Sequence, residues 1–211
     1  MKRIITFLAL MAGIMSVFAQ TPNEIVARME SEMKIHEKDG IDMIMDLKLP
    51  VIGVVPAKTL MLGTKSRTDS TIEGTRTVVW TDETTVWSYS SKTNQIEIKD
   101  ATVNADNAQS NAKMFEGIAE GYKITLINET PDAWYFKCKK ARPNKDKNAS
   151  KKMELSVAKE TYYALSLSVK GLLASISMHD IKFGVTEEQV TFNPNEFPDA
   201  TIEDKREKLG N

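Results

Sequence analysis

Residues equipped for chemistry are sparse in this chain. It has two histidines, His36 and His179, and one cysteine, Cys138. Met178-His179-Asp180 sets a base beside an acid, but neighbouring strand residues point to opposite faces, so the pair reads as a strand-end surface feature. His36 shares a helical face with Val26, Met29 and Met33, where a packed histidine is the ordinary outcome. Cys138 falls in the strand-like run Trp134–Lys140 as a packed or edge side chain. A lone cysteine provides neither a disulfide framework nor a cysteine-rich zinc site. Glu187-Glu188 and Asp39, Asp42 and Asp46 suit exposed faces better than an acid–base pair. Asn128-Glu-Thr130 and Asn148-Ala-Ser150 match a glycosylation pattern that arises often by chance. No glycine-rich phosphate loop, HExxH or GxSxG pattern occurs. These residues point to binding rather than catalysis, and no cofactor, metal or enzyme activity is expected.

The composition agrees. The chain has 211 residues, 41% of them hydrophobic and 27% charged, as in an ordinary soluble domain. Its 28 basic and 29 acidic residues show no basic excess, which argues against a nucleic-acid partner. Lys2 and Arg3, the apolar run Ile4–Val17 and the end Val17-Phe18-Ala19 read as a secretory signal over 1–19, cut before Gln20. The run is too short for a comfortable membrane span. Removing it leaves 26 basic and 29 acidic residues, a formal charge of −3. No cysteine stands directly after the apolar run, so the chain is not expected to be a lipoprotein itself. The remainder, 20–211, reads as one domain in an exported compartment.

The elements that must position any site follow from period and punctuation. Thr21-Pro22-Asn23-Glu24 is a capping box that opens a helix ending near Asp39-Gly40. From Ile41 the period becomes two, with Ile41, Met43, Met45, Leu47 and Leu49 on one face. A second strand is expected at Lys58–Lys65, with Leu60 and Leu62 on one face. Between them lies the proline-bracketed apolar loop Pro50–Pro56. Strands follow at Lys65–Ile72, Arg76–Trp80, Thr84–Tyr89 and Gln95–Lys99. A helix is expected over Asp106–Gly121. Strands resume at Lys123–Asn128, Trp134–Lys140, Lys151–Val157, Tyr163–Val169, Leu172–Met178 and Glu188–Phe192, with a charged loop over Pro143–Ser150 and a tight turn at Lys170-Gly171. The fold class is mainly β with helices (α+β): an antiparallel sheet of about ten or eleven strands that must curl or close. Its concave apolar face needs a helix over it or a ligand in it. Val51, Ile52, Val54 and Val55 read either as a strand end tucked into the core or as a mouth loop touching lipid, membrane or partner. Eight methionines of the mature chain are compatible with adaptable apolar contact and with plain core filling.

Several stretches resemble the periplasmic outer-membrane lipoprotein carrier family (LolA-like). They are Lys65-Ser-Arg67, Thr77-Val-Val-Trp80 through Thr84-Thr-Val-Trp87-Ser-Tyr89, Asn94-Gln95-Ile96, and Val190-Thr-Phe192-Asn-Pro194 through Phe197-Pro198. The signal segment and first helix fit as well. The sequence departs from the family around Gly171 and has Glu83 where glycine is common. The resemblance implies an incomplete β-barrel with helices over an apolar cavity that holds the acyl chains of lipoproteins or related lipids. It implies the periplasm, an inner-membrane exporter and an outer-membrane acceptor as partners, and a monomer. Arg67 falls at the family's arginine position and would help hold the helical lid shut. The lining residues expected from alternation are Met43, Met45, Leu47, Leu60, Leu62, Trp80, Trp87, Leu126, Phe136, Leu155, Leu167 and Ile176, with Phe115 and Ile118 from the lid helix. Two other functions share this fold: a lipid- or lipoprotein-sensing regulator, and a non-transporting structural envelope protein.

Overall fold

The computed structural model describes residues 20–101, 113–142, 144, 149–171 and 174–206. The expected signal segment, the first part of the Asp106–Gly121 helix and most of the Pro143–Ser150 loop lie outside the described residues. Helix α1 (Pro22–Ile35) begins at the expected capping box. The Thr21 side chain accepts from the Glu24 N–H at 3.3 Å, and the Glu24 carboxylate accepts from the Thr21 N–H at 2.7 Å. Its buried stripe is Ile25, Val26, Met29 and Met33. A 3-10 turn (Glu37–Asp39) follows, then Gly40 at φ +68. A Cβ there would lie 2.7 Å from the Met61 carbonyl oxygen, so glycine is required by both backbone and space.

Strands β1 (Ile41–Leu49), β2 (Gly53–Leu62), β3 (Lys65–Ile72), β4 (Thr75–Thr81), β5 (Thr85–Ser90) and β6 (Gln95–Asp100) form one meander. A 3-10 turn (Lys113–Phe115) and the single turn α2 (Ile118–Gly121) precede a second meander. It comprises β7 (Tyr122–Glu129), β8 (Ala133–Lys140), β9 (Lys152–Ala158), β10 (Ala164–Lys170) and β11 (Ser175–Phe183). Helix α3 (Glu187–Val190), a 3-10 turn (Pro194–Glu196) and β12 (Thr201–Asp204) close the described chain. One twelve-stranded sheet results, in the order β12-β6-β5-β4-β3-β2-β1-β11-β10-β9-β8-β7. The sheet curls and does not close, since among the described residues its edges β12 and β7 pair with no further strand. It is an incomplete β-barrel with helices.

Four expectations change in detail. The expected Pro50–Pro56 loop shrinks to a turn at 50–52, because β2 begins at Gly53 and pairs with β1 from Leu49 onward. The expected strand Glu188–Phe192 is instead the helical turn α3, where the Thr186 N–H donates to the Gln189 side-chain oxygen at 2.8 Å and starts a helix. Within the described part of Asp106–Gly121, Gly117 at φ +73 breaks the helix into two short turns. The extra strand, β12, runs parallel to β6, with Ile202 level with Ile96.

Candidate functional site

Cross-strand register assigns every strand residue to one of the two faces of the sheet. Met43 stands opposite Thr59, Met45 opposite Ala57 and Leu47 opposite Val55. On the other side of β1, Met45 meets Met178 and Leu47 meets Ile176. Leu167 continues that row from Met178, followed by Leu155, Phe136 and Leu126. The residues Met43, Met45, Leu47, Ile176, Leu167, Leu155, Phe136 and Leu126 therefore share one face, called the inner face below.

Helix α1 and the turn α2 cover part of this face. Ile25, Val26, Met29, Met33, Phe115 and Ile118 pack on Met43, Phe136, Leu155 and Leu167, all of them buried. Three polar contacts tie the α2 region to α1. The Asn23 side-chain amide donates to the Ala119 carbonyl at 2.8 Å, the Ala119 N–H donates to Glu30 at 2.8 Å, and Lys34 pairs with Glu116 at 3.3 Å. Loss of hydration pushes the half-buried Glu30 carboxyl above its ordinary range. Burial also pushes the Cys138 thiol up to about 11, so this side chain is inert packing rather than a nucleophile.

Cover is incomplete elsewhere on the face. Met45, Leu47 and Val169 are only partly buried, Ile176 is 36% exposed, and Leu126 near the β7 edge is 39% exposed. Leu47, Ile176 and Val169 lie side by side across β1, β11 and β10, at the end of the sheet marked by the β1–β2 turn. That turn is the expected mouth segment, and it divides. Val51 (96%), Ile52 (52%) and Val54 (55%) are exposed, whereas Val55 is buried against Leu47.

The remaining expected lining residues lie on the opposite face. Leu60 pairs with Arg67, Arg67 with Trp80, and Trp80 with Trp87. Leu60, Leu62, Trp80 and Trp87 thus share the outer face, where Trp80 and Trp87 pack with Val78, Tyr89 and Ile96 in a second apolar core and the C-terminal segment straps over it. Phe192 stacks on Trp87 at 5.3 Å and meets Trp80 edge-on at 5.4 Å. Phe197 stacks on Tyr89 at 3.7 Å. Trp80 is wholly buried, and among the described residues its indole N–H has no hydrogen-bond partner. Arg67 lies over the Trp80 ring at 5.0 Å, and its guanidinium donates two 2.8 Å bonds to Glu196. Its side chain therefore holds this strap, whereas the resemblance assigns it to the helical lid.

Both histidines bond to neighbouring side chains. His36 bridges Asp39 at 2.6 Å and the Tyr163 hydroxyl at 2.8 Å while stacked on Phe183 at 4.4 Å. His179 contacts Asp46 at 3.2 Å and Asp180 at 3.1 Å. Sequence reasoning separates His179 from Asp180. A bulge with Asp180 at φ +54 brings them together, and no local pattern announces it. Among the described residues, no group of three or more His, Cys, Asp or Glu could hold a metal ion.

The architecture is an incomplete β-barrel with helices over part of one apolar face. It carries the unclosed sheet, apolar inner face and covering helices that the resemblance implies. Similar solved structures include an uncharacterized conserved protein from Thermus thermophilus, 18% identical, covering 88% of this chain and 100% of that one at a TM-score of 0.49. A LolA superfamily protein from Nitrosomonas europaea is 10% identical, covering 84% and 100% at a TM-score of 0.35. LprF from Mycobacterium bovis is 8% identical, covering 83% and 99% at a TM-score of 0.44. No protein-family model matches the chain, and no curated protein matches it.

Proposed function

We propose that this chain is an exported carrier whose mature form begins at Gln20. In this reading it works in the periplasm, takes the acyl chains of a lipoprotein or a related lipid onto its inner face, and moves them from an inner-membrane exporter to an outer-membrane acceptor. The observation that carries the reading is the gradient along that face. Apolar side chains are sealed beneath α1 and α2 but remain reachable at Met45, Leu47, Val169 and Ile176. An unclosed sheet that leaves its apolar lining partly wet gains by covering it. Each methylene buried there contributes about 0.8 kcal/mol, so one acyl chain supplies ample driving force. The contacts of Asn23, Glu30 and Lys34 with the α2 region are few and polar, which suits a cover that shifts to admit cargo.

Native mass spectrometry of protein purified without detergent from its own envelope tests this directly. The expected result is a bound acylated species near one-to-one, lost in Leu47→Glu. A mature protein that stays free of lipid and refuses an added acylated peptide would overturn the proposal.

A further inference from the structure

The outer face of the second meander carries a charge pattern that the carrier reading does not use. Lys123 on β7 stands directly opposite Lys139 on β8, and Lys139 opposite Lys152 on β9. The register of β9 with β10 places Lys170 next in line, since Val169 is opposite Met153. Ser175 on β11 faces Lys170, and Lys48 on β1 faces Ser175. Five lysines thus form one row across six strands, about 24 Å long at the ordinary spacing of paired strands. Lys137 flanks the row and lines a shallow pocket with Lys152, Lys170 and Glu154.

Like charges placed directly opposite each other destabilise a sheet, so such a row costs stability unless something anionic compensates it. The protein compensates little. Lys170 pairs with Glu154 at 3.2 Å. Lys137 stands opposite Glu154 in register, whereas among the described residues Lys48, Lys123, Lys139 and Lys152 form no ion pair with a carboxylate, and all five lysines are exposed. The row stands in a chain with no basic excess overall, 28 basic against 29 acidic residues, so it is a local concentration of positive charge.

The row ends at an apolar feature. Lys48 pairs with Val54 near the start of β2, which with Val51 and Ile52 of the β1–β2 turn forms an exposed apolar tip. A lysine row meets phosphate groups, and an apolar tip at its end enters the acyl boundary beneath them. A soluble polyanion would satisfy the lysines but leave that tip in water.

We propose that the lysine row and the Val51–Val54 turn form a docking surface for a bilayer carrying anionic phospholipid. Docking there brings the partly open end of the inner face, at Leu47 and Ile176, next to the membrane. The surface is independent of the acyl-binding reading, because vesicles containing no lipoprotein test it.

The experiment is co-sedimentation of the mature protein with vesicles of equal parts phosphatidylcholine and phosphatidylglycerol, and with vesicles of phosphatidylcholine alone. Association with the anionic vesicles only is expected, falling steeply at roughly 1 M salt, where the screening length shortens to about 3 Å. Lys139→Glu with Lys152→Glu is expected to weaken association by at least about tenfold. Val51→Asp with Ile52→Asp is expected to weaken it severalfold while the melting temperature holds, since both sites are exposed. Equal binding to both vesicle types, no binding to either, or no response to the lysine reversals would overturn the proposal. Undiminished vesicle binding by the Val51→Asp, Ile52→Asp variant would also overturn it, leaving only a surface for soluble polyanions.

Discussion

The helix-covered half of the sheet and the strapped half bury opposite faces of the same strand order. Across β1 and β7–β11 the inner face is apolar, under α1 and α2, and the outer face is a polar field of lysines and serines. Ser156 bonds Ser166 at 2.6 Å and Ser168 bonds Ser177 at 2.9 Å on that outer side. Across β4–β6 the pattern reverses. Trp80, Tyr89 and Ile96 are buried on the outer side, and Thr77, Val79 and Ser88 lie on the inner side. The seam is β3, Lys65-Ser-Arg-Thr-Asp-Ser-Thr-Ile72, whose burial is intermediate along most of its length. A strand with no apolar face lets its neighbours on either side commit to different cores. The two halves differ in consequence as well. One keeps a partly open apolar rim, while the other is sealed by aromatic stacking and the Arg67–Glu196 pair.

The largest effects should come from the two cores. Phe136→Ala and Trp80→Ala each leave a large cavity and are expected to cost about 3 to 5 kcal/mol in denaturant titrations. If both halves belong to one cooperative unit, either variant lowers the whole transition. If the seam at β3 separates them, Trp80→Ala speeds hydrogen exchange in β4–β6 and β12 and leaves α1 protected. Next is the clamp on the strap. Arg67→Ala removes two charge-assisted bonds from a side chain that is largely shielded, at about 1 to 2 kcal/mol. The expected readout is faster exchange at β12 and altered tryptophan fluorescence, with α1 unaffected.

Smaller effects separate the halves by pH. The folded Glu30 carboxyl is raised above 4.5 by burial, so the native state holds that proton more readily than the unfolded chain. Its contribution is therefore complete at low pH and declines as pH rises through that range. Glu97, beside the strap, behaves oppositely. Hydrogen bonds from Lys205 and Lys99 hold it at about 2, so its contribution is full above 4.5 and lost as pH falls toward 2. Glu30→Gln retains an oxygen for the Ala119 N–H, so at neutral pH it should be at least as stable as the parent and lack the decline. Glu97→Gln should lose the acid sensitivity of β12 exchange. Smallest of all is the thiol. Cys138 should resist labelling in the native state at neutral pH and react only as the helix-covered half opens, which a labelling time course in increasing urea checks.

Much of this arrangement was legible in the sequence. The capping box at Thr21, the alternation from Ile41 and the hydrophobic stretches of β7–β11 give the helix, most of the strands and the curled sheet. The two-faced lining was harder to read. Alternation shows which residues of one strand share a side, but not which side that is across a polar neighbour. The information lies in turn lengths. Gly63-Thr64 and Glu73-Gly74 are two-residue connections, the latter with φ +49 and +78 as a tight hairpin requires. Carrying register through them puts Trp80 with Arg67 and Leu60, away from Met43. Reading Pro50–Pro56 as a loop hid the remaining link, because β2 begins at Gly53 and sets Thr59, not Leu60, opposite Met43. The Asp180 bulge and the parallel pairing of β12 depend on tertiary contact and leave no comparable local mark.

Hydrogen exchange of residues 20–211, with and without a synthetic diacylated peptide, tests the central claim most directly. The account predicts slowed exchange at the rim ends of β1, β10 and β11, around Leu47, Val169 and Ile176, with β4–β6 unchanged. Protection centred on Trp80 and Trp87, or no protection anywhere, would contradict it.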